Sequence, residues 1–189
     1  SIMSRNPQEE LVPLRIYRLA LGCTGEWGVL RGTKEKALAE MVAFVDRANV
    51  YFETEISARL VLIGSNENCI NLDGNLDPYN NSREGLSLVG QNTAVLNQRI
   101  GFNNYDIGHM FSLCYDVGGV AAGTLCSQGK GAGVTCHNST SISNGIVLVF
   151  VHEVGHQMSA PHTFNHCPGQ EGQTPSGSGY EPGSGSTIM

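Results

Sequence analysis

His152-Glu153-Val154-Gly155-His156-Gln157-Met158-Ser159-Ala160-Pro161-His162 is the stretch on which the reading of this chain turns. It continues a wholly apolar run, residues 146–151, and the two together predict a helix over residues 144 to about 158. Side chains four apart share one helix face, so His152 and His156 can aim both imidazoles at one metal ion. Glu153 lies one step around the helix, beside such an ion rather than on it. Pro161 cannot continue a helix, so the chain should turn near Ser159 and Ala160 and swing His162 back as a third ligand. Three histidines leave a fourth position for water, the pattern of a catalytic rather than a structural zinc site. The competing reading is an amphipathic helix end with surface histidines. The apolar run argues against it, because it places His152 at the edge of the core, where unpaired imidazoles need partners.

Composition frames the motif. The 189 residues, 40% hydrophobic and 15% charged, suit one globular domain with a buried core. Twenty-four glycines point to a loop-rich surface. A net charge of −6 with only 11 scattered Lys and Arg argues against nucleic acid or an anionic membrane as partner. No apolar run near the motif is long enough to span a bilayer. The opening Ser1-Ile2-Met3-Ser4-Arg5 has no signal-peptide apolar core.

Upstream, residues 14–21 read as a strand ending at Gly22. Thr33 can cap a long helix to about Thr54, with Ala37, Met41, Phe44, Val45, Ala48 and Phe52 as its core stripe. Residues 58–63 supply a second strand, and strand-helix-strand predicts a parallel pair with a right-handed crossover. Residues 64–85 read as a surface loop. A second helix lies within residues 86–100 and a third strand over residues 105–113. Two small-residue stretches, 118–123 and 131–135, suit an edge strand or a cleft wall; composition alone equally allows flexible Gly-rich loops. Residues 167–186 read as loop.

Six cysteines are spread without a C-x-x-C pair. In an acidic, Gly-rich chain this favours disulfides and an oxidising compartment, with free buried thiols as the alternative. Asn80-Asn81-Ser82 and Asn138-Ser139-Thr140 are glycosylation sequons. Ca2+ is a weaker suggestion for residues 71–81, whose Asn and Asp oxygens lack the spacing of a recognised calcium loop.

At His152, Glu153, His156 and His162 the chain resembles the metzincin zinc metallopeptidases, with Met189 in Ser186-Thr187-Ile188-Met189 resembling their turn methionine. Within that group it is most similar to the reprolysin-like, or adamalysin-like, branch and its bacterial relatives. Supporting stretches are Tyr105-Asp-Ile-Gly-His-Met-Phe-Ser112, Gly118-Gly-Val-Ala-Ala-Gly123, Gly133-Val-Thr135 and Tyr180-Glu-Pro-Gly-Ser-Gly-Ser-Thr-Ile-Met189. The resemblance implies an α/β fold, a twisted mixed sheet with a long active-site helix. It implies one catalytic domain over residues 1–189, with residues 1–162 as upper subdomain. Residues 163–189 then begin a lower subdomain that ends at the methionine turn and is otherwise largely missing. Gly119, Val120, Ala121 and Ala122 would belong to an edge strand that binds an extended substrate by main-chain hydrogen bonds. Gly155 would allow close packing beneath the zinc helix. His109, His137 and His166 match no ligand position and read as structural or surface residues. Ser159 stands where the family has Gly, in a turn favouring positive φ, at a cost of roughly 1 kcal/mol.

The function so implied is zinc-dependent endopeptidase activity on peptides or proteins, in a secreted or extracytoplasmic protein, with one catalytic Zn2+. Zinc would activate a bound water and Glu153 would serve as general base. The alternative is a truncated zinc-containing homologue that binds peptides without turnover.

Overall fold

The computed structural model describes residues 12–170 and 172–189; the opening pentapeptide read above lies outside them. Strand β1 (Arg15–Cys23) is largely exposed over its first four residues and buried over its last five. A strand buried on both faces sits inside a sheet covered from two sides. The sheet order is β2-β1-β3-β5-β4, with β2 at Ala58–Leu62, β3 at Ile107–Ser112, β4 at Gly119–Ala121 and β5 at Gly133–Cys136. β2, β1, β3 and β5 run parallel, while β4 closes one edge antiparallel to β5. The α/β architecture with a mixed sheet is therefore the one expected.

Helices cover both faces. α2 (Lys34–Ile56) links the parallel pair β1 and β2; the Thr33 hydroxyl accepts from Lys36 N–H at 3.3 Å, and Ser57 ends the helix at φ 51°. The anticipated stripe from Ala37 to Phe52 is buried throughout. Strand periodicity sorts the two cores. Leu19, Leu21, Ile107 and Phe111 pack against α2 and α4 (Asn144–Gln157) through Phe44, Val147, Phe150 and Val154. On the other face Met110 and Val134 meet Leu88 and Val95 of α3 (Gly85–Ile100), and Ala20 meets Leu96.

Three readings need correction. A short helix, α1 (Gly25–Val29), occupies the stretch between the first strand and Thr33, for which the sequence leads one to expect no element. Its order comes from tertiary packing: Trp27 is fully buried, and a β-carbon on Gly25 would overlap the backbone of Asp73. Of the two small-residue stretches only the first is an edge, since β5 lies between β3 and β4 with all four residues buried. In the 64–85 loop, a 3-10 turn forms at Asn66–Cys69. The calcium suggestion gains no support there. Among the described residues no three carboxylates of the loop converge on one point. Instead Asp73 Oδ1 accepts from Asn75 N–H, and Asp77 accepts from Gly25 and Tyr79 N–H.

One disulfide forms, Cys114–Cys136, joining the ends of β3 and β5. Cys23 and Cys69 are buried free thiols, Cys126 is exposed and Cys167 partly so. The expectation of disulfides is thus met by one pair, and the other four cysteines are free thiols.

Candidate metal centre

α4 is positioned before its histidines are. Ser143 caps it, its hydroxyl accepting from Ile146 N–H at 3.4 Å. Val147, Phe150, Val151 and Val154 seat one face in the core, which turns the face carrying His152 and His156 toward a cleft. Gln157, fully buried, pins the last turn to the sheet. Its amide nitrogen donates to Gly108 O at 2.8 Å, so its oxygen faces His109 Nδ1 at 2.9 Å. Nδ1 therefore carries the proton, and His109 Nε2 accepts from the Thr135 hydroxyl at 2.9 Å. Full burial pushes the His109 pKa down to about 4, so this histidine is a neutral structural one. A β-carbon on Gly133 would collide with both partners, which explains the glycine.

The helix then stops as its sequence demands. Ser159 takes φ 72°, Ser159 N–H donates to His156 O at 2.8 Å, and Ala160 N–H donates to Gly155 O at 3.0 Å. The chain reverses through Pro161 and delivers His162 to the other two histidines. The three Nε2 atoms are 3.0, 3.1 and 3.2 Å apart. Each ring's Nδ1 faces a main-chain carbonyl: Ile188 O at 2.6 Å from His152, Ala160 O at 2.8 Å from His156, and Gln173 O at 3.1 Å from His162. A carbonyl only accepts, so each Nδ1 holds the proton and each Nε2 presents a lone pair. Burial also holds His152 and His156 below the usual imidazole pKa, favouring the neutral rings.

Three mutually facing lone pairs repel unless a cation lies among them. Tetrahedral nitrogen ligands at zinc–imidazole distance stand about 3.4 Å apart, close to the spacing here. The carbonyl partners supply the outer shell that usually orients such ligands. The residues present therefore fit a zinc ion.

Glu153 extends toward the edge strand and is 6% exposed. Its carboxylate has no hydrogen-bond partner among the described residues, and burial alone raises its pKa to about 7. It lies against Gly119, where a β-carbon would come within 2.7 Å of Oε1. On β4, Cys136 N–H donates to Gly118 O and Ala122 N–H donates to Ala132 O. Antiparallel alternation then turns the main-chain groups of Gly119 and Ala121 outward, while Val120 and Ala122 bond inward. The opposite edge differs: the Asn49 amide occupies both N–H and C=O of Leu60 on β2. The cleft beside the triad encloses about 890 Å³ between β4, α4 and residues 184–189, and continues past His162 into a second hollow of about 440 Å³.

Beneath the triad, Met189 Sδ lies 2.8 Å from where a Gly155 β-carbon would be. His137 and His166 stand apart from the triad. His137 is buried, its Nδ1 2.9 Å from an Arg31 guanidinium nitrogen and its Nε2 3.2 Å from Ser141 O. His166 is exposed, and its backbone N–H donates to Gly183 O. Sequence reading did not anticipate Ile188, Ala160 and Gln173 as partners of the triad, because a carbonyl carries no residue-type signal. It also assigned no role to Gln157 or Glu181, although Glu181 falls within the quoted 180–189 stretch.

A family model described as metallo-peptidase family M12B, reprolysin-like, matches residues 14–189. No curated protein matches the chain.

Proposed function

The chain belongs to the reprolysin-like metallopeptidases of family M12B, and on that premise we propose that it is a zinc-dependent endopeptidase with His152, His156 and His162 as ligands and Glu153 as general base. The observation that carries the proposal is the convergence of three imidazole lone pairs beside a carboxylate that has no other described partner. A zinc ion held there would supply a Lewis acid for the scissile carbonyl and lower the pKa of a water in the open position.

The chain's own groups supply the rest. Glu153 takes the proton of the attacking water and passes it to the leaving amine. Gly119 and Ala121 offer outward main-chain groups to an extended peptide, which joins β4 as an added antiparallel strand. Cleft volume on both sides of His156 and His162 leaves room for chain in both directions, which favours internal cleavage. Met189 and Ile188 form the floor, so residues 163–189 belong to the same catalytic unit as α4. Secretion accords with the disulfide, and among the described residues no helix is long and apolar enough to cross a membrane.

The test is Glu153→Gln, assayed on casein and a peptide library with and without chelator. The variant should keep one equivalent of zinc and lose activity by about 10²–10⁴-fold. Full activity in the variant would remove Glu153 as base. A zinc-loaded wild type that cleaves nothing would favour the reading of a peptide-binding homologue.

A further inference from the structure

Glu181 lies outside the histidine motif, yet its carboxylate is a point of convergence. Oε1 accepts from the Thr163 hydroxyl at 3.0 Å and the Thr187 hydroxyl at 2.5 Å. Oε2 accepts from Thr187 N–H at 3.1 Å and from Ser186 N–H. An ionised carboxylate offers about four lone-pair sites and no proton, and here four donors meet it. Its main chain joins in: Glu181 N–H donates to Thr163 O at 2.9 Å, and Asn165 N–H donates to Glu181 O at 3.0 Å. The turn wraps closely, since a β-carbon on Gly185 would come within 2.8 Å of Oε2.

The partners explain what this does. Thr163 directly follows His162. Thr187 directly precedes Ile188, whose carbonyl takes the Nδ1 proton of His152 at 2.6 Å. Thr163 N–H reaches Met189 O at 3.2 Å, completing the closure. One carboxylate thus ties the neighbour of the third histidine to the turn that orients the first. Resting on the reading of the triad as zinc ligands, we propose that Glu181 is a positioning residue of the metal centre. It fixes the 186–189 turn, and through Ile188 O it sets the ring of His152 and the affinity for the ion. The hydrogen bonds from Thr187, Ser186 and Thr163 hold its carboxyl at about 2, so the acceptor is ionised throughout the neutral range.

Glutamine has the size of glutamate but would turn an NH₂ toward N–H and O–H donors. In Glu181→Gln, zinc titrated into the metal-free protein against a chromophoric chelator should bind about 10–100-fold more weakly than in wild type, because displacing Ile188 O disturbs the outer-shell partner of His152. The visible spectrum of the Co(II)-loaded variant should shift in position or intensity, because a turned His152 alters the ligand field. A purely structural role would lower the thermal stability of the metal-free protein and leave that spectrum unchanged. Wild-type affinity within twofold together with an unchanged Co(II) spectrum overturns the inference. If Glu181→Gln does not fold, the double variant Thr163→Val/Thr187→Val removes both hydroxyl donors and keeps the backbone, and the same two readouts decide. A wild type that takes up no zinc overturns the triad reading itself and this inference with it.

Discussion

Gly119 and Glu153 share a space that one β-carbon would fill: built on Gly119, it would lie 2.6 Å from Cγ and 2.7 Å from Oε1 of Glu153. Contacts under about 3 Å between non-bonded heavy atoms of this kind are repulsive, so one partner must move. The strand is held by its ladder to β5, whereas no hydrogen bond among the described residues holds the Glu153 carboxylate in place.

Gly119→Ala should therefore displace the carboxylate and leave the histidines in place. We expect kcat to fall about 10–100-fold with one equivalent of zinc retained, a loss in the range that misplacing a catalytic group produces. In a Glu153→Gln background the same substitution should add little, because two residues acting as a unit are not additive. Steady-state kinetics of the four proteins, with zinc measured in each, would decide. Wild-type kcat in Gly119→Ala would remove the proposed coupling.

His109 gives the pH dependence. Its pKa falls from 6.5 toward about 4 on folding, so between those values the unfolded chain binds the extra proton and the folded chain does not. This contribution to stability is present in full above pH 6.5 and is lost as pH falls to about 4. At about 1.4 kcal/mol per unit it amounts to about 3 kcal/mol. The imidazole resonances assigned to His109 in the metal-free protein should stay in the neutral form down to about pH 5. Urea unfolding should weaken over the same interval, and a His109 signal titrating near 6.5 would contradict this.

Ser159 holds φ 72°, a conformation costing a non-glycine residue about 1 kcal/mol. Ser159→Gly removes that strain and gives back part of it as chain entropy in the unfolded state. The expected gain is about 0.5 kcal/mol, a rise of one to two degrees in Tm for a chain of this length, readable by calorimetry. A lower Tm would show that the serine makes a compensating contribution.

Much of this protein is local in origin and so was legible. The α2 stripe from Ala37 to Phe52, its Thr33 cap and the apolar face of α4 each follow from periodicity that a short window contains. The parallel pairing of β1 with β2 follows from the intervening helix. α1 was not legible, because five residues make too few of their own hydrogen bonds and Trp27 is ordered by distant partners. β5 was read ambiguously because its glycine serves close approach to Gln157 and His109, 24 residues away in either direction.

By itself the sequence determined which atoms could meet at the proposed metal centre. A helix fixes the spacing of His152 and His156, and Pro161 forces the turn that returns His162. The tertiary structure alone decided how those atoms are held. Ile188 O, Ala160 O and Gln173 O choose the tautomers, Gly119 makes room for Glu153, and Glu181 joins Thr163 to Thr187. Helix geometry is a property of neighbouring residues, whereas a carbonyl acceptor or a missing β-carbon matters only once distant segments are brought into contact.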